Sequence, residues 1–203
     1  MKQFASIDAK QREFIEHQHV FFVGSSAPDA RINLSPKGLD ALRVLGPNAV
    51  VYLDRTGSGN ETAAHLLADG RLTLMFCAFD GPPLILRLYG SGRVIKRGGA
   101  EYARLLAAEY GGIEPPGARQ IVALDVELVQ TSCGYGVPHF DYVGERPSLS
   151  NWAEKSGEVE LEAYRHQYNE HSIDGLPTGL FDQETAETRQ PVVRVARPLL
   201  STT

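Results

Sequence analysis

Tyr52-Leu53-Asp54-Arg55-Thr56-Gly57-Ser58-Gly59-Asn60-Glu61-Thr62-Ala63-Ala64-His65-Leu66 joins a strand-like apolar run, residues 48–53, to a helix-like run, residues 61–68. Gly57 and Gly59 leave the backbone free to take positive φ, where N–H groups can converge on an anion. Thr56, Ser58 and Asn60 add side-chain donors, and the helix N-terminus adds the positive end of a dipole. Strand, polar glycine loop and helix start together make a seat for a phosphate. The same loop also reads as a plain connection, with Asn60 or Ser58 capping the helix and glycine easing the turn. Composition of the loop alone favours the plainer reading, so the neighbouring segments have to decide.

Upstream, residues 8–18 read as a short helix with Ser6 or Asp8 at its start. His19-Val20-Phe21-Phe22-Val23-Gly24 is a strand ended by the turn-forming Ser25-Ser26-Ala27-Pro28-Asp29. Residues 30–37 alternate as a second strand, with Ile32 and Leu34 on one face and Arg31, Asn33, Ser35 and Lys37 on the other. That polar face either meets water or lines a groove. Residues 49–53 make a third strand, 71–79 a fourth, and 84–96 a long fifth that can bend at Gly90 or Gly92. A helix over 101–110 presents Tyr102, Leu105, Leu106 and Tyr110 on one face, and 121–129 supplies a sixth strand. A polar helix over about 150–169 carries Trp152, Leu161, Tyr164 and Tyr168 as its contacts. Trp152 reads as the anchor of that helix.

Six strands with few intervening helices do not suit a doubly wound parallel sheet, which needs strict βαβα alternation. The pattern reads as a mainly β fold with flanking helices (α+β), a six-stranded antiparallel barrel. Residues 1–145 form the barrel domain, 146–180 a helical extension of the same domain, and 181–203 a tail or dimer arm with a strand-like stretch at 192–195. A chain of 203 residues suffices for one sizeable core. Its net charge of −5 argues against a nucleic-acid surface. No run approaches the roughly 18 apolar residues of a membrane span, and residues 1–8 lack the apolar core of a secretory signal. Cys77 and Cys133 form no CxxC pair, which fits a reducing, cytoplasmic setting.

Asn33-Leu34-Ser35-Pro36-Lys37-Gly38, the 52–65 loop, the 71–79 strand and Pro82-Pro83-Leu84-Ile85-Leu86-Arg87-Leu88-Tyr89-Gly90-Ser91-Gly92-Arg93-Val94 follow in this order. In that order and spacing the chain resembles the pyridoxamine 5′-phosphate oxidase-like group of FMN-binding split-barrel proteins, in its oxidase-related branch. The resemblance spans roughly residues 12–135 and continues more weakly to about 180. It implies a split barrel and a homodimer with FMN in a groove between subunits. Asn33, Ser35 and Lys37 would face the flavin ring, and Arg55, Gly57, Ser58, Asn60 and Thr62 would form its phosphate end. The chemistry implied is hydride or electron transfer at the flavin on a small molecule, with Lys37 stabilising the anionic reduced ring. No catalytic residue, no metal site and no membrane partner are implied.

One position departs from the family. The vitamin-making enzymes carry an Arg-Lys pair where this chain has Glu61-Thr62. A carboxylate there suits the helix dipole but repels a phosphate dianion, and the lost charge-assisted bonds weaken phosphate binding. Arg31, Arg55 or Arg71 could compensate. Pyridoxamine phosphate oxidation is therefore not expected. The alternative function is a non-catalytic split-barrel flavin- or ligand-binding protein in which FMN binding is weakened or lost, or FMN is replaced by another flavin-like ligand. Haem ranks lower, because no histidine holds a privileged position. His65 reads as a partly buried helix residue on the face of Glu61, and Cys133 as a buried structural thiol rather than a metal ligand with His139. Tyr135 could stack on a flat ring, and Arg87 and Arg93 read as an outward charged face.

Overall fold

Residues 1–182 are described in the computed structural model. Among them the elements follow as β1 (Lys2–Phe4), α1 (Ala9–His17), β2 (Phe21–Ser25), β3 (Asn33–Lys37), β4 (Leu42–Gly46), β5 (Ala49–Arg55), α2 (Glu61–Ala68), β6 (Arg71–Cys77), β7 (Ile85–Lys96), α3 (Ala100–Glu109), β8 (Ala118–Ser132) and α4 (Ser148–Tyr168). The strands form one antiparallel sheet in the order β3-β2-β6-β7-β8-β5-β4, with β1 on the remaining edge of β8. The expected strands and helices are all present within this range. Eight strands stand where six were expected, because β1 and β4 carry weak signals. β1 has three residues, too few for alternation to show, and β4 is an outer strand hairpinned onto β5.

Long β7 and β8 pair along their length and carry the curl of the sheet. Their register shifts between Tyr89 and Gly90, where a Cβ would stand 1.9 Å from the Asp125 carbonyl oxygen. Only glycine allows that approach, so the bend foreseen at Gly90 is a bulge fixed by backbone contact. Inside the curl, Phe21, Val23, Tyr52, Leu74, Phe76, Leu86, Leu88 and Leu124 form the core. Each fully buried side chain of this size contributes about 1.5–3 kcal/mol. The alternate residues Val51, Leu53, Ile121 and Ala123 face outward, under Tyr102 and Leu105 of α3. Asp8 caps α1 in a reciprocal box with Gln11, and Ile15 is the buried contact of that helix.

The sheet ends at β3 on one side and β4 on the other. Among the described residues β3 and β5 share no ladder, and side chains bridge the gap between them. That opening gives the barrel its split. α2 packs on β2, β6 and β7 beside it. The expected polar helix is interrupted at Gly157, whose φ of 68° is unavailable to most residues without strain. α4 docks through Ala153, Leu161 and Arg165, and Trp152 meets Tyr164 edge-on. No helix among the described residues is long and apolar enough to cross a membrane. The expected strand at 192–195, and the tail from 183 onward, lie outside the described residues.

Candidate functional site

The polar strip of β3 faces the split. Asn33, Ser35 and Lys37 pair with Ser25, Val23 and Phe21 of β2, all buried, so they share the inward face. Ile32 and Leu34, on the opposite face, are 82% and 66% exposed. An apolar-in, polar-out strand is inverted here. The Asn33 amide donates to Ser25 Oγ and to Thr62 Oγ1, each at 3.1 Å. Ser25 Oγ also meets His65 Nδ1 at 3.0 Å. His65 is thus fully buried behind the strip. Lys37 Nζ donates to Asp54 Oδ1 at 2.6 Å across the gap to β5.

Asp54 is the electrostatic centre. Its second oxygen accepts from Arg119 Nη2 at 2.6 Å, Arg119 Nε at 3.2 Å and Gln120 Nε2 at 3.0 Å. Burial pushes this carboxyl up, but the Arg119 and Lys37 charges outweigh burial and hold it well below the usual carboxylate range. One carboxylate against two cations leaves a net single positive charge at this end of the groove. The Tyr52 hydroxyl beneath is raised by burial and by the Asp54 charge.

The glycine loop forms the other wall. Its carbonyls are held from behind: Asn169 Nδ2 donates to Gly57 O at 3.0 Å, and Arg119 Nη1 to Gly59 O at 3.0 Å. Asn60 heads α2 but does not cap it by its side chain. Instead its amide bridges Gln120 Nε2, at 2.9 Å, and the Asn169 carbonyl, at 3.4 Å. Gly57 and Gly59 are not at positive φ, contrary to expectation. Bonds to their carbonyls, rather than left-handed backbone, set the loop's direction. A Cβ on Gly57 would meet nothing within 4 Å. From Gly57 to Ala63 no backbone N–H has an acceptor among the described residues.

All eight residues expected at the site, Asn33, Ser35, Lys37, Arg55, Gly57, Ser58, Asn60 and Thr62, line one groove of about 280 Å³. Asp54, Gly59, Glu61 and Arg119 complete its lining. Arg55 donates to the Pro116 carbonyl and to Ser150 Oγ. Its Nη2, His65 Nε2 and Gln120 Oε1 are buried without a hydrogen-bond partner among the described residues. Such atoms are costly to leave unpaired.

The remaining candidates lie elsewhere. Arg31 is paired with Asp174 and Arg71 with Asp69, so neither cation is brought to the loop. Glu61 accepts from the Ile173 N–H. Cys133 is exposed rather than buried, because β8 has ended before it; Cys77 is the buried thiol. His139 is exposed and Tyr135 is 82% exposed, away from the groove lining. Arg93 pairs with Glu101 and Arg87 donates to Ser132. Asp54, Arg119, Gln120 and Asn169 were missed as site residues. Asp54 closing an apolar strand run and Arg119-Gln120 opening one were the available signals. A second cavity of about 360 Å³ lies beyond Arg119, lined by Lys96, Arg97 and Arg165, but these cations are engaged by the Asp182 carbonyl, Glu114 and Glu158.

The sequence profile of the family described as pyridoxamine 5′-phosphate oxidase matches residues 7–133, which hold both walls of the groove. The chain belongs to that family. A pyridoxamine 5′-phosphate oxidase family protein of Aspergillus flavus, ustO, is 40% identical over 190 residues, covering 86% of this chain and 76% of that protein. Two solved structures share the fold. HupZ of Group A Streptococcus is 17% identical, with a TM-score of 0.51 over 63% of this chain and 94% of that one. A Lactobacillus delbrueckii protein ascribed to pyridoxamine 5′-phosphate oxidase is 20% identical, with a TM-score of 0.50 over 64% of this chain and 99% of that one. At those identities the likeness supports the split barrel of the family and nothing finer.

Proposed function

We propose that the groove binds FMN, with its phosphate at the glycine loop and its ring along the β3 strip, and that the protein is a flavin-dependent oxidoreductase acting on a small molecule. The observation that carries this reading is the row of acceptor-free N–H groups from Gly57 to Ala63, in the loop and helix start that line the groove. The donor set fits the group: main-chain N–H groups at a helix start, the hydroxyls of Ser58 and Thr62, and one guanidinium supply an anion seat without the Arg-Lys pair. Bound FMN supplies hydride or electron transfer at its ring. The chain's own residues bind and orient. Asn33 spends both amide hydrogens on Ser25 and Thr62, which leaves its carbonyl oxygen as an acceptor for the ring edge. Lys37 and Arg119, sharing Asp54, give that region a net positive charge that favours an anionic reduced ring.

The working unit we infer is a homodimer, with the groove completed by the partner subunit. Support comes from Ile32, just before end strand β3, from Leu34 on it, and from Ile173, 74% exposed, on the segment paired to Arg31. Apolar side chains exposed together beside a groove suit an interface better than water. Two free thiols suit a reducing compartment such as the cytoplasm.

A second reading, a flavin carrier without turnover, is favoured by Glu61 at the helix start and by the engagement of Lys37 and Arg119 with Asp54. An absorbance spectrum of the purified, desalted protein, with mass spectrometry of what it releases, tests the flavin reading. Flavin bands and released FMN are expected. A colourless protein that takes up no added FMN would overturn it. Reduction by a nicotinamide donor with reoxidation by a substrate panel separates enzyme from carrier.

A further inference from the structure

The segment that follows α4 meets the groove at three points, and none of them belongs to the barrel. Asn169 is fully buried and donates from Nδ2 to Gly57 O at 3.0 Å, while its Oδ1 accepts from Arg119 Nη1 at 2.7 Å. Its backbone carbonyl accepts from Asn60 Nδ2 and, at 2.7 Å, from Thr178 Oγ1. The segment then folds back on itself: Ser172 N–H donates to Leu176 O at 2.8 Å and Thr178 N–H to Glu170 O at 2.9 Å. Its tip is pinned at Glu61 of the groove lining and at Arg31, just ahead of β3. Ile173 N–H donates to the Glu61 carboxylate at 3.0 and 3.1 Å, and Arg31 N–H donates to Asp174 Oδ2 at 2.8 Å.

We propose that residues 169–178 are a built part of the anion seat, with Asn169 as the positioning residue that turns the glycine loop's N–H groups into the groove and Glu61 as the segment's anchor. A peptide unit presents its N–H and C=O on opposite sides. Holding Gly57 O and Gly59 O from behind therefore directs the neighbouring N–H groups forward. This gives Glu61 a purpose at the groove: it holds the Ile173 main-chain N–H and so ties the segment to the start of α2. The inference rests on the proposed binding of FMN, and its test separates the two.

Titrate wild type, Asn169→Ser and Asn169→Ala with FMN and with riboflavin, which lacks the phosphate, after checking each fold by circular dichroism. Both variants remove the amide donor to Gly57 without adding a charge near the phosphate, and Asn169→Ser, which keeps a small polar group, remains informative if Asn169→Ala fails to fold. FMN affinity should fall about tenfold in Asn169→Ser while riboflavin affinity changes less than about twofold, the loss of roughly one buried hydrogen bond acting on the phosphate alone. Equal weakening of both ligands, or no change in either, would overturn the inference. If wild type binds neither flavin, the flavin reading fails by itself. Thermal stabilisation by inorganic phosphate then decides: present in wild type and lost in Asn169→Ser supports positioning, and any other result overturns it. In hydrogen exchange, Glu61→Ala should speed exchange of the Ile173 amide and Glu61→Gln should not; unchanged exchange in Glu61→Ala would remove the anchor role.

Discussion

The barrel interior and the groove are built from the same strands by opposite means. On β5, Val50 and Tyr52 enter the core, and two residues later Asp54 enters the groove. The core is held by a backbone ladder and by apolar area, both of which are satisfied within the sheet. The groove begins where that ladder stops. There, Lys37, Asp54 and Arg119 bridge the split with charge, and Asn169 reaches in from beyond the barrel. Among the described residues, buried polar atoms without partners remain on Tyr52, Arg55, His65 and Gln120. The contrast teaches that the interior is set by area and ladder, whereas the groove is set by polar side chains that reach across the split.

Removing Asp54 should separate the two regions most strongly. Asp54→Ala leaves the buried Arg119, with Lys37 beside it, without their shared carboxylate, and breaking a buried pair costs about 3–5 kcal/mol. Urea unfolding should show that loss, and FMN binding should disappear with it. Leu88→Ala should cost about 2–5 kcal/mol through a core cavity, yet leave the ratio of FMN to riboflavin affinity unchanged. A shift in that ratio would mean that interior and groove are not independent. Arg55→Gln should weaken FMN about tenfold, as expected for one charge-assisted bond, and lower the unfolding free energy by about 1–2 kcal/mol through its bonds to Pro116 and Ser150; an equal loss for riboflavin would take Arg55 away from the phosphate. The smallest effect is in pH. Asp54 titrates below its unfolded value, so its contribution is complete above about pH 4 and is lost only as pH falls through the lowered value. The stability difference between wild type and Asp54→Asn should be flat from pH 7 to pH 5 and shrink in stronger acid.

What was legible in the sequence follows the range of the interactions. Strand alternation and the Asp8 start of α1 are local, and they lie where the pattern puts them. The β3 strip was legible as polar on one face; which way it pointed depended on β2, through the pairing of Asn33 with Ser25. Asp54 was in plain view within the loop segment, but its partner Arg119 is 65 residues away and Asn169 is 112 residues from Gly57. No local periodicity encodes such contacts. The roles expected of Gly57, Gly59 and Asn60 were local rules for turns and caps, and those distant bonds overrode them. Cys133 was misjudged because its burial depended on where β8 ends, and strand ends are the least determined feature of a periodic pattern.

Calorimetric titration of the wild-type protein with FMN and with riboflavin tests the central claim most directly, because the two ligands differ only at the phosphate. An anion seat at the glycine loop predicts that FMN binds at least about tenfold more tightly than riboflavin, since several main-chain N–H groups and Arg55 act on the phosphate alone. Equal affinities, or binding of neither, would contradict it.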